Sequence, residues 1–180
     1  VIFTSDNGPD PVTGERFNKQ LRGRKYDVYE GGVHVPMLVN WKGTFAPATR
    51  KEVVHFVDIL PTIADLCQIQ IDPSITRRLD GQSFAKLFSG QGDSYTSKAK
   101  YWHWNRGTPY YHQNAAMREG DWKLIYASVT SGTIFKDVDA KPLLFNLKKD
   151  PLETTDVSAK HQAVYKRMWT LLDDWTRKME

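Results

Sequence analysis

Two adjacent oxygen donors, Asp6 and Asn7, directly follow a short apolar segment at the start of the 180-residue chain. A carboxylate and an amide carbonyl are hard ligands, which suit Ca²⁺ or Mg²⁺ and not a soft metal. Gly8 and Pro9 turn the backbone so that both side chains can face one ion. The local sequence alone favours a different interpretation, in which these residues form an Asx turn that caps the next segment.

A basic loop follows this pair, because residues 16–25 contain five basic side chains and no acidic one. Such a run is usually a solvated face, but this one is spaced by glycines and leads back into the sheet through residues 30–32. A loop that leaves one strand end and returns to the neighbouring strand must pass over the same crevice, where α/β proteins bind ligands. Lys25 is the best-placed residue to meet an anionic substrate beside a cation, with Arg22 and Arg24 behind it.

The elements that must position these residues alternate between strand and helix in the first half of the chain, as in an α/β sheet. Apolar, β-branched runs predict buried strands at residues 1–4 and 35–41, the first within a parallel sheet. Helices are predicted at residues 55–68 and 80–90. The apolar face of the first of these helices is expected to contain Ile59, Ile63 and Leu66.

The pattern changes after a polar stretch at residues 91–99. Strand-like segments of antiparallel character follow, with a hairpin turn at residues 119–121 between two of them. A helix is predicted at residues 161–179, with an apolar face that packs against this small sheet. The predicted strands are residues 100–104, 114–119, 121–127 and 142–147, and the helix face contains Val164, Met168, Leu171, Leu172 and Trp175.

Composition excludes several classes of protein. With 40% hydrophobic and 26% charged residues, the chain is typical of a globular protein. The net charge of +4 is spread over both halves, so we expect no nucleic-acid partner. No apolar run approaches the roughly 20 residues that span a bilayer, so no membrane span is expected. The single cysteine, Cys67, excludes an intrachain disulfide and is expected to be a buried thiol.

Taken together, these motifs resemble the sulfatase family, the arylsulfatase-like branch of the alkaline-phosphatase superfamily. The resemblance covers nearly the whole chain and implies the C-terminal part of a sulfatase α/β sandwich sheet in residues 1–92. It further implies a small antiparallel-sheet subdomain in residues 93–180, packed by the helix 161–179. The matching stretches are TSDNGP, RGRK, YEGGVHVPMLVNWKG, DILPTIADL, LDGQSF, AAMREGDWKLIY and LFNLKKDPLETTDV.

The resemblance assigns roles to three residues. Asp6 and Asn7 correspond to the pair that gives two oxygen ligands to a divalent cation, usually Ca²⁺, with Mg²⁺ as the alternative. On this basis the metal-ligand interpretation is preferred to the Asx turn. Asn7 also favours a sulfatase over related phosphatases and phosphonate hydrolases, which tend to have histidine there. Lys25 corresponds to the catalytic lysine that contacts the sulfate group.

The aromatic segment 101–112 is similar in position to the part of the small subdomain that approaches the active-site mouth. Its aromatic rings are expected to stack on a sugar or aryl group, with His103 or His112 binding the substrate by a hydrogen bond. The alternative, which the sequence favours, is an aromatic strand that packs between subdomains.

The family's nucleophile is a formylglycine made from Cys or Ser in a Cys/Ser-x-Pro-x-Arg motif, and no such motif occurs in this sequence. The chain is therefore expected to be a C-terminal portion, inactive alone, whose partner is the missing N-terminal half of the catalytic domain.

The expected substrates are sulfated small molecules or sulfated carbohydrates, and the resemblance implies an extracytoplasmic location: periplasmic, secreted or lysosomal. Two alternatives stay open at this point. One is a phosphoryl or phosphonate ester hydrolase of the same superfamily, and the other is a non-catalytic carbohydrate-binding module.

Overall fold

The computed structural model describes residues 1–10, 12, 17–90, 94–105, 113–126, 129–130, 133–134 and 141–179. Within these residues the α-helices are α1 (Glu30–Val33), α2 (Ile59–Leu66), α3 (Pro73–Thr76) and α4 (Gln162–Arg177). The strands are β1 (Ile2–Thr4), β2 (Met37–Val39), β3 (Lys100–His103), β4 (Ala115–Glu119), β5 (Trp122–Tyr126), β6 (Val129–Thr130), β7 (Thr133–Ile134) and β8 (Leu143–Asn146). Short 3₁₀ turns lie at Phe56–Asp58 and Ala85–Leu87.

The chain divides into two compact units, and neither is a simple half of the sequence. One unit contains Val1 and residues 39–98, and the other contains residues 2–38 and 99–180. The second unit therefore unites the polar loops of the first 38 residues with the antiparallel sheet. The two domains predicted from sequence, residues 1–92 and 93–180, stay a prediction.

The unit of residues 39–98 is organised by a buried carboxylate at the start of α2. Asp58 accepts the N–H of His55 at 2.8 Å and the N–H of Gln82 at 2.9 Å. Thr62 on the next turn accepts the N–H of Phe84 at 3.0 Å. The helix thus turns a polar face inward, where backbone donors would otherwise be unsatisfied.

This polar anchoring corrects two predictions about α2. Ile63 is 41% exposed, whereas Thr62 and Ala64 are buried, so the apolar face predicted from periodicity was wrong. Cys67 at the helix end is also exposed and not buried. The reason in both cases is that the bonds of Asp58 and Thr62 fix the rotation of the helix about its axis.

The unit of residues 2–38 and 99–180 is centred on a four-stranded antiparallel sheet in the order β3-β4-β5-β8. All four strands lie within a residue or two of the predicted bounds. Glu119 pairs with Trp122 across the predicted hairpin, and Gly120 has φ of +56°, as expected for glycine at the first loop position of a two-residue turn.

Both faces of this sheet are covered within the unit. On one face Met117, Leu124 and Leu144 pack against Met168 and Leu172 of α4, and all five are fully buried. The predicted helix face is therefore confirmed, except that Leu171 is 36% exposed. None of the helices in the described part of the chain combines the length and apolar character needed to cross a membrane.

The opposite face of the sheet is covered by the basic loop. Ile125 and Phe145 of the sheet pack there against Val28 and Tyr29, which directly precede α1. The rings of Tyr29 and Phe145 meet edge-on with centroids 6.3 Å apart. This contact places the end of the basic loop on a rigid sheet.

Strands β1 and β2 form a separate two-stranded sheet. Val1 and Asn40, which flank the strands, exchange N–H···O bonds of 2.7 and 2.8 Å, which is the pattern of an antiparallel pair. Phe3 is 64% exposed among the described residues, so the predicted burial of this strand on both faces stays a prediction. Among the described residues, no other strand or helix covers the exposed apolar side chains of β1 and β2.

Candidate active site

The loop after β1 presents the two predicted cation ligands. The N–H of Asn7 donates to Asp6 Oδ1 at 3.0 Å, and Asn7 Nδ2 donates to the carbonyl of Gly8 at 2.9 Å. Because its amide nitrogen is committed, Oδ1 is the atom of Asn7 that can meet a cation. The exposed carboxylate of Asp6 can offer Oδ2 for the same purpose.

Gly8 joins this loop to α1 by direct backbone packing. Its N–H donates to the carbonyl of Gly32 at 2.9 Å. A Cβ on Gly8 would lie 1.8 Å from the carbonyl oxygen of Gly31, a backbone atom that cannot move aside alone. Glycine is therefore the residue that lets the loop and the helix approach this closely.

Lys25 lies on the same loop as the predicted cation ligands. Its N–H donates to the carbonyl of Pro9 at 3.0 Å, and its Nζ lies 2.9 Å from Asp10 Oδ2. The hydrogen bond to Asp10 is the main cause that raises the pKa of Lys25, and the charge of Asp6 adds to it. The structure thus brings together Asp6, Asn7 and Lys25.

Asp10 is a partner of Lys25 that the sequence analysis did not name. It holds the ammonium of Lys25, and that hydrogen bond is the main reason that the pKa of Asp10 is lowered. A signal was present in the sequence: Asp10 follows the Asn7-Gly8-Pro9 turn, close to a run of basic residues that has no acid of its own.

Arg22, predicted to lie behind Lys25, has a structural role. Its Nη1 donates to the carbonyl of Glu153 at 2.7 Å, and its guanidinium lies 4.1 Å from the centroid of the Tyr29 ring. Arg22 therefore binds the loop to the turn after β8 at a position three residues before Lys25.

A buried ionic cluster anchors α1 to the sheet, and no sequence motif pointed to it. Lys123 Nζ lies 2.8 Å from Glu30 Oε1 and 3.1 Å from Glu153 Oε1. The other oxygen of Glu30 lies 3.1 Å from both Arg118 Nη1 and His34 Nδ1. The N–H of Glu30 donates to Glu153 Oε2 at 2.7 Å.

The two carboxylates of this cluster titrate in opposite directions. Burial alone would raise the pKa of Glu30, but Lys123, His34 and Arg118 outweigh it and hold that pKa well below its usual range. Burial raises the pKa of Glu153, and the nearby charge of Glu30 adds to the rise against the opposing attraction of Lys123. Glu30 is therefore the firmly ionised member.

The structure separates His103 from Lys25. The ring of His103 lies edge-on to Trp175 of α4 with centroids 6.3 Å apart, on the helix-covered face of the sheet. Its Nε2 is buried without a hydrogen-bond partner among the described residues. The substrate-binding role of His103 stays a prediction, and His112 lies outside the described residues.

A different aromatic residue of the same segment lies beside the basic loop. Trp104 contacts Tyr26 with ring centroids 5.0 Å apart, and the Tyr26 centroid lies 5.4 Å from Lys25 Nζ. Asn114 ties the two together, because its Nδ2 donates to the carbonyls of Tyr26 at 2.9 Å and Trp104 at 3.1 Å. Alternation along the strand explains why Trp104 faces the loop and His103 does not.

The donor set for a cation is partial. In the ranges that the structure describes, no group of three or more His, Cys, Asp or Glu side chains is placed to hold a metal ion. Asp6 and Asn7 have the oxygen chemistry that Ca²⁺ requires, but Ca²⁺ takes about six to eight ligands. Asp6 and Asn7 alone are therefore too few to complete a Ca²⁺ site.

The four-stranded antiparallel sheet with its covering helix is the fold expected for the C-terminal part of a sulfatase. The chain belongs to this family: the family model described as "N-sulphoglucosamine sulphohydrolase, C-terminal" matches residues 22–178.

Known relatives agree with this assignment. The chain is 33% identical to arylsulfatase A of Homo sapiens over 173 residues, which cover 85% of this chain and 32% of that protein. It is 28% identical to an N-acetylgalactosamine-6-O-sulfatase of Bacteroides thetaiotaomicron over 189 residues, covering 96% of this chain and 35% of that protein. The crystal structure of Ps i-CgsB in complex with k-i-k-neocarrahexaose is 26% identical, with a TM-score of 0.73, and covers 97% of this chain and 36% of that one. The chain therefore spans about a third of the length of these relatives.

Proposed function

We propose that this chain is the C-terminal part of a sulfatase that hydrolyses sulfate esters, and that it supplies two cation ligands and a sulfate-binding lysine. The observation that carries the proposal is the packing of Lys25 on the loop of Asp6 and Asn7. The bond from Lys25 N–H to Pro9 and the ion pair with Asp10 support a shared anion and cation site.

Asp6 and Asn7 would hold the divalent cation, Ca²⁺ in preference to Mg²⁺, through Asp6 Oδ2 and Asn7 Oδ1. When bound, such a cation supplies Lewis-acid stabilisation of charge on the sulfuryl oxygens. The chain's own contribution is to orient the two oxygens. The bond from Asn7 Nδ2 to Gly8 fixes the amide, and the packing of Gly8 on α1 fixes the loop.

Lys25 would bind a sulfate oxygen and stabilise the charge that develops there during S–O cleavage. Its ion pair with Asp10 is compatible with this role, because an ammonium has three N–H donors. One donor can stay on Asp10 Oδ2 and orient the group while another meets the substrate. The charge of Asp10 also keeps Lys25 protonated.

The nucleophile would be a formylglycine in an N-terminal half of the catalytic domain. The 180 residues contain no Cys/Ser-x-Pro-x-Arg motif, so we expect no turnover by this chain alone.

The proposed substrate class is sulfated carbohydrate. A relative named as an N-acetylgalactosamine-6-O-sulfatase and a structural neighbour in complex with k-i-k-neocarrahexaose support this choice. The Trp104–Tyr26 contact near Lys25 gives it a physical basis, because aromatic rings bind sugar faces.

The test is hydrolysis by the full-length protein that contains this chain, assayed on an aryl sulfate and a set of sulfated saccharides. We expect Ca²⁺-dependent sulfate release that Asp6→Ala abolishes. Asp174→Ala is the matched control, because Asp174 is exposed on α4, far along the chain from the loop.

Two results would contradict the proposal. Faster hydrolysis of the matching phosphate or phosphonate esters would favour a phosphoryl-type enzyme of the same superfamily. Saccharide binding without turnover and without Ca²⁺ affinity would favour a non-catalytic module.

A further inference from the structure

The buried cluster around Lys123 is costly to build and has no part in the proposed chemistry. Lys123 and Glu153 are 0% exposed and Glu30 is 4% exposed. Lysine and glutamate are almost never fully buried unless paired, and buried ion pairs are weak sources of stability. A gain in stability is therefore a weak explanation for the meeting of Glu30, Lys123 and Glu153.

The cluster joins three segments that are distant in sequence. Glu30 begins α1, Lys123 lies on β5, and Glu153 lies in the turn that follows β8. Glu153 has φ of +55°, a left-handed conformation that glycine or asparagine adopts more easily. The side chain of Glu153 compensates for this conformation, because its Oε2 accepts the N–H of Glu30 at 2.7 Å.

From Glu30, backbone contacts lead directly to the candidate active site. The next residue, Gly31, donates its N–H to the carbonyl of Arg22 at 2.7 Å, three residues before Lys25. Gly32 accepts the N–H of Gly8 at 2.9 Å, next to Asn7.

These contacts are too tight to absorb a shift of α1. A Cβ on Gly31 would lie 2.1 Å from the carbonyl oxygen of Gly23, and one on Gly32 would lie 1.9 Å from that of Asp27. Backbone packed this closely moves as a unit. A displacement of Glu30 would therefore displace the two loop segments that carry Asn7 and Lys25.

We infer that Lys123 is a positioning residue for the two segments of the loop that carry Asn7 and Lys25: by pairing with Glu30 and Glu153 it sets the position of α1, and α1 sets the positions of these segments. The inference rests on the proposed function for its effect on Ca²⁺. Lys123 itself touches neither substrate nor cation in this scheme.

The test compares two core variants of the full-length protein. Lys123→Met removes the ammonium but keeps an unbranched chain of similar length. Leu172→Ala leaves a cavity on the α4 face of the sheet, where Leu172 is 0% exposed and has no contact with α1 among those described. We expect both variants to lower the unfolding temperature, so Leu172→Ala controls for a general loss of stability.

Two readouts separate positioning from stability. The first is the Kd for Ca²⁺ by calorimetry at a temperature where both variants are folded. We expect about a 10- to 100-fold increase for Lys123→Met, the range typical of residues that support metal ligands, and no change for Leu172→Ala. The second is hydrogen exchange of peptides from residues 5–10 and 22–33, which Lys123→Met accelerates and Leu172→Ala does not.

A second variant covers the case in which Lys123→Met does not fold. Replacing all three charges, as Glu30→Gln, Lys123→Met and Glu153→Gln together, removes the uncompensated carboxylates that would unfold the single variant. We expect this triple variant to fold, and we expect its Kd for Ca²⁺ to be raised as in Lys123→Met.

The outcomes distinguish this inference from the proposed function. Wild-type affinity and wild-type exchange in a folded Lys123 variant would overturn the inference and leave the proposed function intact. Absence of Ca²⁺ binding in the wild type would overturn the proposed cation site, and the inferred effect on Ca²⁺ with it. Hydrogen exchange would then still decide whether Lys123 positions the two loops.

Discussion

The α-carbon of Gly8 faces the carbonyl oxygen of Gly31 with room for a hydrogen atom and nothing larger, since a Cβ there would lie 1.8 Å from that oxygen. This contact makes the glycine after Asp6 and Asn7 part of the candidate site. The loop of the paired oxygen donors and the Glu30-Gly31-Gly32 segment therefore share one backbone interface.

Gly8→Ala is therefore expected to move the cation loop away from α1. Overpacking of this kind costs about 1–3 kcal/mol of the free energy of unfolding. We expect a larger effect on the site, with the Kd for Ca²⁺ rising about 10-fold or more, as when groups supporting metal ligands are displaced. Calorimetric titration of the full-length variant measures it.

Gly43→Ala is the control for this substitution. Gly43 has φ of +79° but no atom within 4 Å of its Cβ position. Gly43→Ala therefore introduces backbone strain without a steric clash. We expect it to lower the free energy of unfolding by about 1–2 kcal/mol. Equal loss of Ca²⁺ affinity in the two variants would argue against a specific role for Gly8.

Lys25→Ala is expected to lower kcat/KM for sulfate esters by about 10²- to 10³-fold, because one charged donor to the developing anion is removed. Lys166→Ala provides the comparison, since Lys166 is exposed on α4. Steady-state kinetics of both variants at saturating Ca²⁺ measure the effect. A Lys25 variant with normal kcat/KM would exclude the lysine from the reaction.

Trp104→Ala and His103→Ala test which of these two residues binds the substrate. The structure favours Trp104, whereas the sequence predicted His103. Trp104 lies against Tyr26 beside Lys25, whereas His103 contacts Trp175 on the other face of the sheet. We expect Trp104→Ala to raise KM for a sulfated saccharide about 5- to 10-fold, the loss of one aromatic contact. His103→Ala should leave KM unchanged, and the reverse result would support the substrate role predicted for His103.

The pH dependence of stability should differ in sign between the two carboxylates of the cluster. The folded-state pKa of Glu30 lies below its ordinary value of 4.5, so its stabilisation is present above pH 4.5 and is lost as the pH falls below it. Glu30→Gln should cost about 3–5 kcal/mol at pH 7, as for a broken buried pair. The difference in the free energy of unfolding between wild type and Glu30→Gln should become smaller towards pH 3.

Glu153→Gln should show the opposite trend. The folded-state pKa of Glu153 is raised, so its charge opposes folding at neutral pH and this cost disappears as the pH falls through the raised pKa. The free energy of unfolding of the wild type, relative to that of this variant, should therefore rise with acidification. Thermal unfolding of both full-length variants between pH 7 and pH 3 measures the two trends, and parallel curves would contradict the assignment.

Local patterns were sufficient to predict the antiparallel sheet and its helix. Alternating residues in β4 and β5, a glycine at the turn between them, and the apolar face around Met168 depend on near neighbours in sequence. Each of these features is confirmed within a residue or two.

Features that depend on distant contacts were not predictable in the same way. Lys123 in a strand pattern suggests a solvent-facing side chain, and Glu153 suggests an ordinary turn residue. Only the fold shows that both are buried against Glu30. Similarly, Ile63 is exposed because the side chains of Asp58 and Thr62 bind backbone donors from residues 82 and 84.

The bond between the Glu30 N–H and Glu153 also has a consequence for biosynthesis, because it joins residues 123 positions apart. At about 5–20 residues per second, roughly 6–25 s pass between translation of the two partners. During that interval Glu30 lacks its bond to Glu153, although its partners Arg118 and Lys123 on the sheet become available earlier. The set of bonds that fixes α1 is therefore complete only when the turn after β8 has left the ribosome.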